Sequence, residues 1–187
     1  AAQLGLKTGI IGKIPSHSIG LLARNEVHFQ NVSDEYLIDD TSSEARLGIY
    51  YYENGAAPRK PGVVYDRKHS SMTTININEF PEEMYASTRC FHTCGITLAL
   101  NQQVREAAIE MMKRFKEAGA LISFDVNFRG NLWSGAEAKE CIEQILPLVD
   151  VFFCSDSTAR LTFLKEGTPE EVMKSFADEY PISVVAA

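Results

Sequence analysis

The stretch NQQVREAAIEMMKRFKEAG (101–119), followed by ALISFDV (120–126), decides the fold class of this 187-residue chain. Its apolar residues recur at the spacing of a helix that buries one face. Asn101 is placed to cap the first turn and Gly119 to end the helix. The stretch therefore predicts a helix over 101–118 that leads into a buried strand over 120–126.

The same alternation of helix and strand continues on both sides of this stretch. Ser134 with Glu137 forms a capping-box signal, and Thr168 before Pro169 is a second helix start. Alternating strands and helices are typical of a parallel sheet covered by helices, which predicts an α/β fold. We expect strands over 89–96, 120–126, 149–154 and 181–185, and helices over 101–118, 134–146, 156–166 and from 168 onward.

The carboxyl ends of parallel strands are where ligands bind in such sheets. Asn127 and Arg129 come directly after the strand over 120–126, so we expect them to contact a substrate. A competing interpretation makes Arg129 a structural partner of Asp125. We expect Asp125 itself to orient the loop that follows it, and Trp133 to anchor that loop or the core.

Residues 36–78 have a different character, with many tyrosines, threonines, serines and isoleucines and a Gly/Pro-rich connection at 54–62. This composition predicts antiparallel strands joined by a long hairpin loop. We therefore expect a small antiparallel β lid over 36–78 on an α/β core made of 1–35 and 79–187.

Two strands of this expected lid carry candidate binding residues. Tyr65 and Arg67 are two residues apart and so share a face of a strand, and Tyr50 lies on a second strand. A phenol beside a guanidinium suits a small anionic, hydroxylated ligand, because arginine binds a carboxylate or phosphate through two hydrogen bonds. The alternation assigns Tyr51 to packing. The competing interpretation is a solvated hairpin with a surface Arg–Asp pair.

Composition excludes several classes of partner. The chain is 45% hydrophobic and 23% charged, as ordinary globular proteins are, and its net charge is −7. An acidic chain is a poor partner for nucleic acid or an anionic membrane. No apolar run is long enough to span a bilayer and no signal-peptide pattern opens the chain, so we expect a cytoplasmic location.

The four cysteines are scattered, three of them in expected buried strands, and they predict reduced packing thiols rather than a disulfide framework. Cys90, His92 and Cys94 alternate along one expected strand, which raises the question of a zinc site. A zinc site needs a fourth ligand and a defined turn, and neither is evident, so the interpretation as a packed strand is favoured and no metal site is assigned.

Several motifs together resemble the ribokinase-like (PfkB-type) carbohydrate kinases, and within that family the 2-keto-3-deoxygluconate kinases. The resemblance covers nearly all of the chain, and the segments that carry it are 9–15, 48–50, 64–70, 95–100 and 125–133. It implies a parallel α/β core with a small β lid and transfer of the γ-phosphoryl group of ATP to a sugar hydroxyl, assisted by Mg²⁺.

The resemblance also implies roles for individual residues. Tyr50 would contact the sugar from the lid, and Tyr65 and Arg67 would contact its carboxylate or hydroxyls. Arg129 would reach the acid group or the transferring phosphate. The lid of relatives often forms a subunit interface, which implies a homodimer or higher oligomer.

The chain departs from the family pattern in three places. Nothing matches the glycine-rich turn that holds the catalytic aspartate, and the N-terminal sugar-binding strand with its glycine pair is not found. A motif linked to Mg²⁺ and phosphate would fall at Ser155 and Thr158, which lack its amide and its carboxylate; Ser155 is kept as a nucleotide-site candidate. Both ends of the chain look cut, so we expect the catalytic aspartate in a missing C-terminal part.

Three functions remain open. The first is a kinase for 2-keto-3-deoxygluconate, and the second is another sugar kinase of the family, of the fructokinase or 5-keto-2-deoxygluconate kinase type. The third is a non-catalytic module that binds a sugar acid or dimerises through its exposed tyrosine-rich strands. Arg67 favours an acid as the ligand.

Overall fold

The computed structural model describes all 187 residues and divides them into two units, residues 1–79 and 80–187. The strands are β1 (Gly9–Pro15), β2 (Ser33–Asp40), β3 (Ile49–Glu53), β4 (Gly62–Asp66), β5 (Cys90–Cys94), β6 (Leu121–Asp125), β7 (Val151–Phe153) and β8 (Val184–Ala186). The helices are α1 (Ser18–Phe29), α2 (Glu83–Ser87), α3 (Gly95–Ala99), α4 (Gln102–Glu117), α5 (Gly135–Ile145), α6 (Asp156–Phe163) and α7 (Pro169–Glu179). Short 3-10 turns cover Ala2–Leu4, Ser71–Thr74, Ile77–Glu79 and Leu146–Leu148. None of the helices is both long and apolar enough to cross a membrane.

The first unit begins with a β1–α1–β2 crossover. β1 and β2 are parallel, with Ile14 opposite Asp39, because a connection that contains a whole helix returns the chain to a parallel neighbour. Helix α1 lies very close to the end of β1 at Gly20, where a Cβ atom would fall 1.6 Å from the carbonyl oxygen of Pro15. The Arg24 guanidinium fastens α1 to β2 through Asp39 at 2.7 Å and through the carboxylate of Asp34.

Asp34 also pairs with His28 of α1, whose Nε2 lies 2.9 Å from its carboxylate. The hydrogen bonds from His28 and then from Arg24 lower the pKa of Asp34 to about 2.

The antiparallel part of this unit is smaller than the sequence predicts. Only β3 and β4 are antiparallel, with Tyr50 opposite Tyr65, and we call this two-stranded hairpin (49–53 and 62–66) the ribbon. Residues 36–40, which we expected in the lid, lie instead in the parallel strand β2, where Leu37 is buried. The expectation was wrong there because a short strand's alternation does not reveal which strand it pairs with. The division into a core and a lid stays a prediction.

The second unit is a parallel sheet in the order β5-β6-β7-β8. The predicted strand over 89–96 ends earlier, at Cys94, because Gly95 and Ile96 already belong to α3. The last strand was predicted over 181–185 but is Val184–Ala186. The amide groups of Ser183 and Val184 both donate to the carbonyl of Asp150, and the chain pairs with β7 only from Val184 onward. The α/β class and the sequence of strands and helices are confirmed.

Helix ends follow the predicted caps. The Asn101 side chain accepts a hydrogen bond from the amide of Val104 at 2.8 Å and opens α4. Complete capping boxes open α5 at Ser134 and α7 at Thr168. Each cap satisfies amide groups that a helix start leaves without an intrahelical partner, which is why these positions could be identified locally.

The two faces of the second sheet differ in burial. Phe124 and Phe152 point to the face that is covered by helices and are 0% exposed. On the other face Leu121, Phe153 and Val184 are 54%, 40% and 51% exposed. Strand alternation separates the two sets, so this unit contains a packed half-core and one open sheet face.

Candidate functional site

The ribbon brings three of the predicted site residues together. Tyr50 and Tyr65 are directly opposite in the register, and their ring centroids lie 6.3 Å apart. Arg67 follows β4, and its guanidinium carbon lies 4.4 Å from the centroid of the Tyr65 ring. This is within the range of a cation–π contact, so the predicted pairing of Tyr65 and Arg67 on one face is seen in the structure.

The guanidinium of Arg67 forms no ion pair with a carboxylate in this arrangement. Its Nη2 atom is buried and makes no hydrogen bond, and its neighbour Asp66 pairs with Arg46 at 2.8 Å. The competing interpretation of a surface Arg–Asp pair therefore does not hold for Arg67. A buried guanidinium nitrogen without an acceptor is costly, and an anionic oxygen of a ligand would remove that cost.

Local geometry explains why the Arg67 backbone lies so close to β3. A Cβ atom on Gly48 would sit 3.2 Å from the Cβ of Arg67, so the absence of a side chain there lets the two segments approach. The chain then turns through His69, whose φ of 55° is in the left-handed region, and the amide of Ser70 bonds the carbonyl of Arg67 at 3.4 Å. His69 thus serves as a turn residue.

The packing role predicted for Tyr51 is wrong. Tyr51 faces away from Tyr50 and Tyr65, opposite Val64, and is 60% exposed. Both strands of the ribbon have exposed side chains on both faces, which shows that no element of the chain covers this side.

Asn127 and Arg129 lie at the carboxyl end of β6, where the sequence predicts them. Asn127 has a φ of 37°, and its amide donates to the Asp125 carboxylate at 2.9 Å. The prediction that Asp125 orients this loop is thereby confirmed. Arg129 is exposed and donates to the Phe128 carbonyl at 3.0 Å, so it is not a partner of Asp125. Trp133 is buried, as expected of an anchor for this loop.

Ser155 lies at the carboxyl end of the next strand, β7, and caps α6. Its hydroxyl accepts from the amide of Thr158 at 3.3 Å and donates to the Thr158 hydroxyl at 2.9 Å. Mg²⁺ at phosphate sites is normally held by one or two carboxylates together with phosphate oxygens. Two hydroxyls that bond each other do not fit that role, so we assign no Mg²⁺ ligand at these positions.

The cysteine and histidine residues form no metal cluster. His92 shares a hydrogen bond with the Ser123 hydroxyl through Nδ1 at 2.9 Å, and no group of three His, Cys, Asp or Glu side chains is placed to hold an ion. All four cysteines are free thiols. Cys154 is buried as predicted, and burial raises its pKa to about 12. Cys141 is also buried, whereas Cys90 is exposed, contrary to the prediction of a buried strand.

The predicted site residues thus fall into two groups, each within one unit. Tyr50, Tyr65 and Arg67 are together in residues 1–79, and Asn127, Arg129 and Ser155 occupy the carboxyl ends of adjacent strands in residues 80–187. Sequence reasoning missed Gly48 and Arg46, which shape the surroundings of Arg67. A glycine one residue before a tyrosine-rich strand was the available signal for the first.

Comparison with known proteins gives a consistent answer. The model of the pfkB family of carbohydrate kinases matches residues 1–185. A curated 2-dehydro-3-deoxygalactonokinase of Haloferax volcanii is 31% identical over 185 residues, which are 99% of this chain and 57% of that protein. The chain therefore spans a little over half the length of this relative.

Solved structures agree with the fold. A PfkB family carbohydrate kinase from Listeria grayi superposes with a TM-score of 0.88 at 32% identity, over 98% of this chain and 56% of that one. The 2-dehydro-3-deoxygluconokinase of Thermotoga maritima gives a TM-score of 0.89 at 26% identity, over 98% of this chain and 59% of that one. Because the family model matches residues 1–185, nearly the whole of this chain, the chain belongs to the pfkB family of carbohydrate kinases.

Proposed function

We propose that this chain is the sugar-binding part of an ATP-dependent kinase for a keto-deoxy sugar acid, with 2-keto-3-deoxygluconate as the preferred candidate. The observation that carries the proposal is Arg67, whose guanidinium is stacked on Tyr65 and has a buried nitrogen without an acceptor. A carboxylate is the group that matches a guanidinium through two parallel hydrogen bonds. Two of the relatives, from Haloferax volcanii and Thermotoga maritima, are named as kinases of keto-deoxy sugar acids, which supports the same class of substrate.

In the proposed reaction, the terminal hydroxyl oxygen of the sugar acid forms a bond to the γ-phosphorus of ATP. The bond from that phosphorus to the oxygen bridging the β- and γ-phosphates breaks, the hydroxyl proton is lost and ADP leaves. Charge spreads over the oxygens of the transferring group, and cationic side chains stabilise it. We assign none of the residues of this chain as the base that accepts the proton.

The proposal gives each candidate residue a role. Tyr50 and Tyr65 pack against the sugar and bond its hydroxyls, and Arg67 binds its carboxylate. At the ends of β6 and β7, Asn127 and Arg129 contact the substrate or the transferring phosphate, and Ser155 contacts the nucleotide. ATP is the phosphoryl donor in this scheme.

Replacing Arg67 tests the proposal directly. Arg67→Ala should weaken binding of 2-keto-3-deoxygluconate by about 10- to 100-fold, the usual worth of a charge-assisted hydrogen-bonded pair, and leave ATP binding unchanged. Isothermal titration of the sugar acid measures the affinity, and ATP turnover with the same acid measures KM. Arg59→Ala is the matched control, because Arg59 is an exposed arginine of the same hairpin paired with Glu53 at 2.7 Å.

Fructose provides the comparison between substrate classes. Because fructose has no carboxylate, its binding should be weak in the parent protein and nearly insensitive to Arg67→Ala. Equal affinity of the parent and Arg67→Ala proteins for the acid would refute the role of Arg67. A parent protein that prefers fructose would favour the fructokinase-type alternative.

A second candidate role is association through the ribbon. Tyr51 and Val64 form an exposed apolar pair on the side opposite Tyr50 and Tyr65, at 60% and 66% exposure. A two-stranded hairpin with apolar side chains on both faces is marginally stable alone, so covering one face with a second copy would stabilise it. We infer that the chain forms a homodimer through this face, with or without catalytic activity.

A further inference from the structure

Asp40 is the only charged residue among those that the fold buries, at 8% exposure. It ends β2, just before the connection to the ribbon, and two more buried polar residues, Ser70 at 5% and Ser71 at 2%, lie where the ribbon returns. A buried carboxylate is costly unless it accepts hydrogen bonds, so its partners show what the fold uses it for.

Both partners of Asp40 belong to the segments that enter and leave the ribbon. Its Oδ1 accepts a hydrogen bond from the amide of Ser42 at 3.1 Å, and its carboxylate also accepts from the Ser71 hydroxyl. These contacts, that of Ser71 foremost, lower the pKa of Asp40, with the charge of Lys13 adding to the effect. The carboxylate therefore joins residue 42 on one side of the ribbon base to residue 71 on the other.

Ser71 in turn holds Arg46 in place through two hydrogen bonds. The Ser71 hydroxyl oxygen accepts from the amide of Arg46 at 3.2 Å, and the Ser71 amide donates to the Arg46 carbonyl at 2.8 Å. The Arg46 side chain then crosses to the other side of the ribbon base. There it donates a hydrogen bond to the Lys68 carbonyl at 3.0 Å and pairs with the Asp66 carboxylate at 2.8 Å. Both chain neighbours of Arg67 are thus held by one arginine.

We infer that Asp40 is a positioning residue for Arg67, acting through Ser71 and Arg46. By fixing Ser71, Asp40 holds Arg46 in place, and Arg46 holds residues 66 and 68 so that the guanidinium between them stays on Tyr65. The part of this inference that concerns the sugar acid rests on the proposed function, whereas the part that concerns the place of Arg67 does not.

The test uses the NMR signal of the Arg67 Nε–H group in the purified protein. The guanidinium carbon of Arg67 lies 4.4 Å from the centroid of the Tyr65 ring. The Nε–H group bonded to that carbon therefore feels the field of the ring, so its signal reports the stacking. The signal is assigned by its loss in Arg67→Lys. We expect Asp40→Ala to move it to the position of a free arginine, and Asp40→Asn, which keeps an oxygen that accepts hydrogen bonds, to restore it.

Asp39→Ala is the matched control, because Asp39 is the neighbouring carboxylate, is 54% exposed and pairs with Arg24 instead. It should leave the Arg67 signal and the affinity for the sugar acid unchanged. Asp40→Ala should weaken that affinity by about tenfold, the low end of the range expected for Arg67→Ala, because the arginine is still present but is no longer held on Tyr65. Should Asp40→Ala not fold, Ser71→Ala breaks the same connection and should move the same signal.

The outcomes separate the inference from the proposed function. An Arg67 signal that stays in place in Asp40→Ala and Ser71→Ala, while the unfolding midpoint falls, would show a purely structural carboxylate and overturn the inference. A parent protein that shows no binding of 2-keto-3-deoxygluconate, together with a signal that moves in Asp40→Ala, would reject the proposed substrate and support the positioning role.

Discussion

Gly95 shows how one missing side chain allows the end of one strand to approach the next. It opens α3 directly after β5, where a Cβ atom would lie 2.0 Å from the Val126 carbonyl oxygen. No real Cβ can be placed at that distance from a backbone oxygen. The residue therefore fixes the distance between the end of β5 and the loop that carries Asn127 and Arg129.

Gly95→Ala should consequently force this loop to move. We expect a loss of about 1–3 kcal/mol in the free energy of unfolding, as in other overpacked sites, measured by urea denaturation. Gly130→Ala is the control, because a Cβ atom there meets only the Phe128 ring at 3.7 Å, an ordinary contact. Its effect should stay within about 0.5 kcal/mol, and equal losses for the two variants would contradict the steric explanation.

Arg67 shows that the partners of a side chain decide its role more than its residue type does. Arg46 and Arg67 flank the same strand end, and the sequence alone favours neither for the ion pair with Asp66. The structure gives Asp66 to Arg46, which leaves the Arg67 Nη2 buried without an acceptor. The backbone of Arg67 lies where it does because Gly48 carries no side chain, and although that glycine is visible in the sequence, the segment that approaches it is not.

At the scale of elements, helix α6 ends in an unusual way. Its last residue, Phe163, is followed by Leu164, which adopts a φ of 56° although a β-carbon disfavours that region. Glycine is the usual residue at this position of a helix end. Leu164 is 72% exposed, so its side chain contributes little packing that would compensate for the strain.

We therefore expect Leu164→Gly to stabilise the protein by about 1 kcal/mol, through relief of the left-handed conformation. The same substitution at Leu161, which is 62% exposed but lies inside α6, should destabilise by about 1 kcal/mol, since glycine is a poor helix former. Thermal and urea unfolding of the pair provide the measurement. Destabilisation by both substitutions would mean that the Leu164 side chain packs more than its exposure indicates.

Elements also differ in how far the sequence determines them. The caps at Asn101, Ser134 and Thr168 were predictable, because each depends on groups no more than three residues apart. The pairing of β2 with β1 was not, because it joins residues more than twenty positions apart and a short alternating strand suits either orientation. The same reason explains why the antiparallel ribbon is shorter than the predicted lid.

At the scale of the whole molecule, the sequence predicts the positions of the candidate residues at strand ends more readily than those of residues that act through others. Asn127, Arg129 and Ser155 follow apolar strands of a parallel sheet, a place that fold rules single out. Tyr50 and Tyr65 were brought together by register, as alternation allows. Asp40 and Arg46 act through contacts across the ribbon base, and composition offered no signal for either.

At the scale of the whole molecule we also predict that the chain self-associates. If two copies meet through the Tyr51 and Val64 face, a two-fold axis brings each substituted position close to its own copy. Tyr51→Asp should then raise the dimer dissociation constant by about tenfold or more, through lost apolar contact and like-charge repulsion. Sedimentation equilibrium over a concentration series measures the constant.

Tyr52→Asp is the control for this experiment, since Tyr52 is 56% exposed on the opposite side of the same strand. It introduces the same charge but should leave the dissociation constant within about twofold, a difference under 0.5 kcal/mol. A parent protein that is monomeric at all concentrations would exclude this interface, and equal effects of the two variants would place the contact elsewhere.

The close approach of Gly48 to Arg67 has a consequence for redesign of acceptor preference. A protein engineer who wants a neutral sugar in place of an acid would first shorten residue 67. That change would expose the face of Tyr65, but a shorter side chain keeps the Cα and Cβ atoms of residue 67 that Gly48 lies against. Under the proposed function, acceptor preference can therefore be altered at position 67 without disturbing the hairpin, as long as position 48 stays glycine.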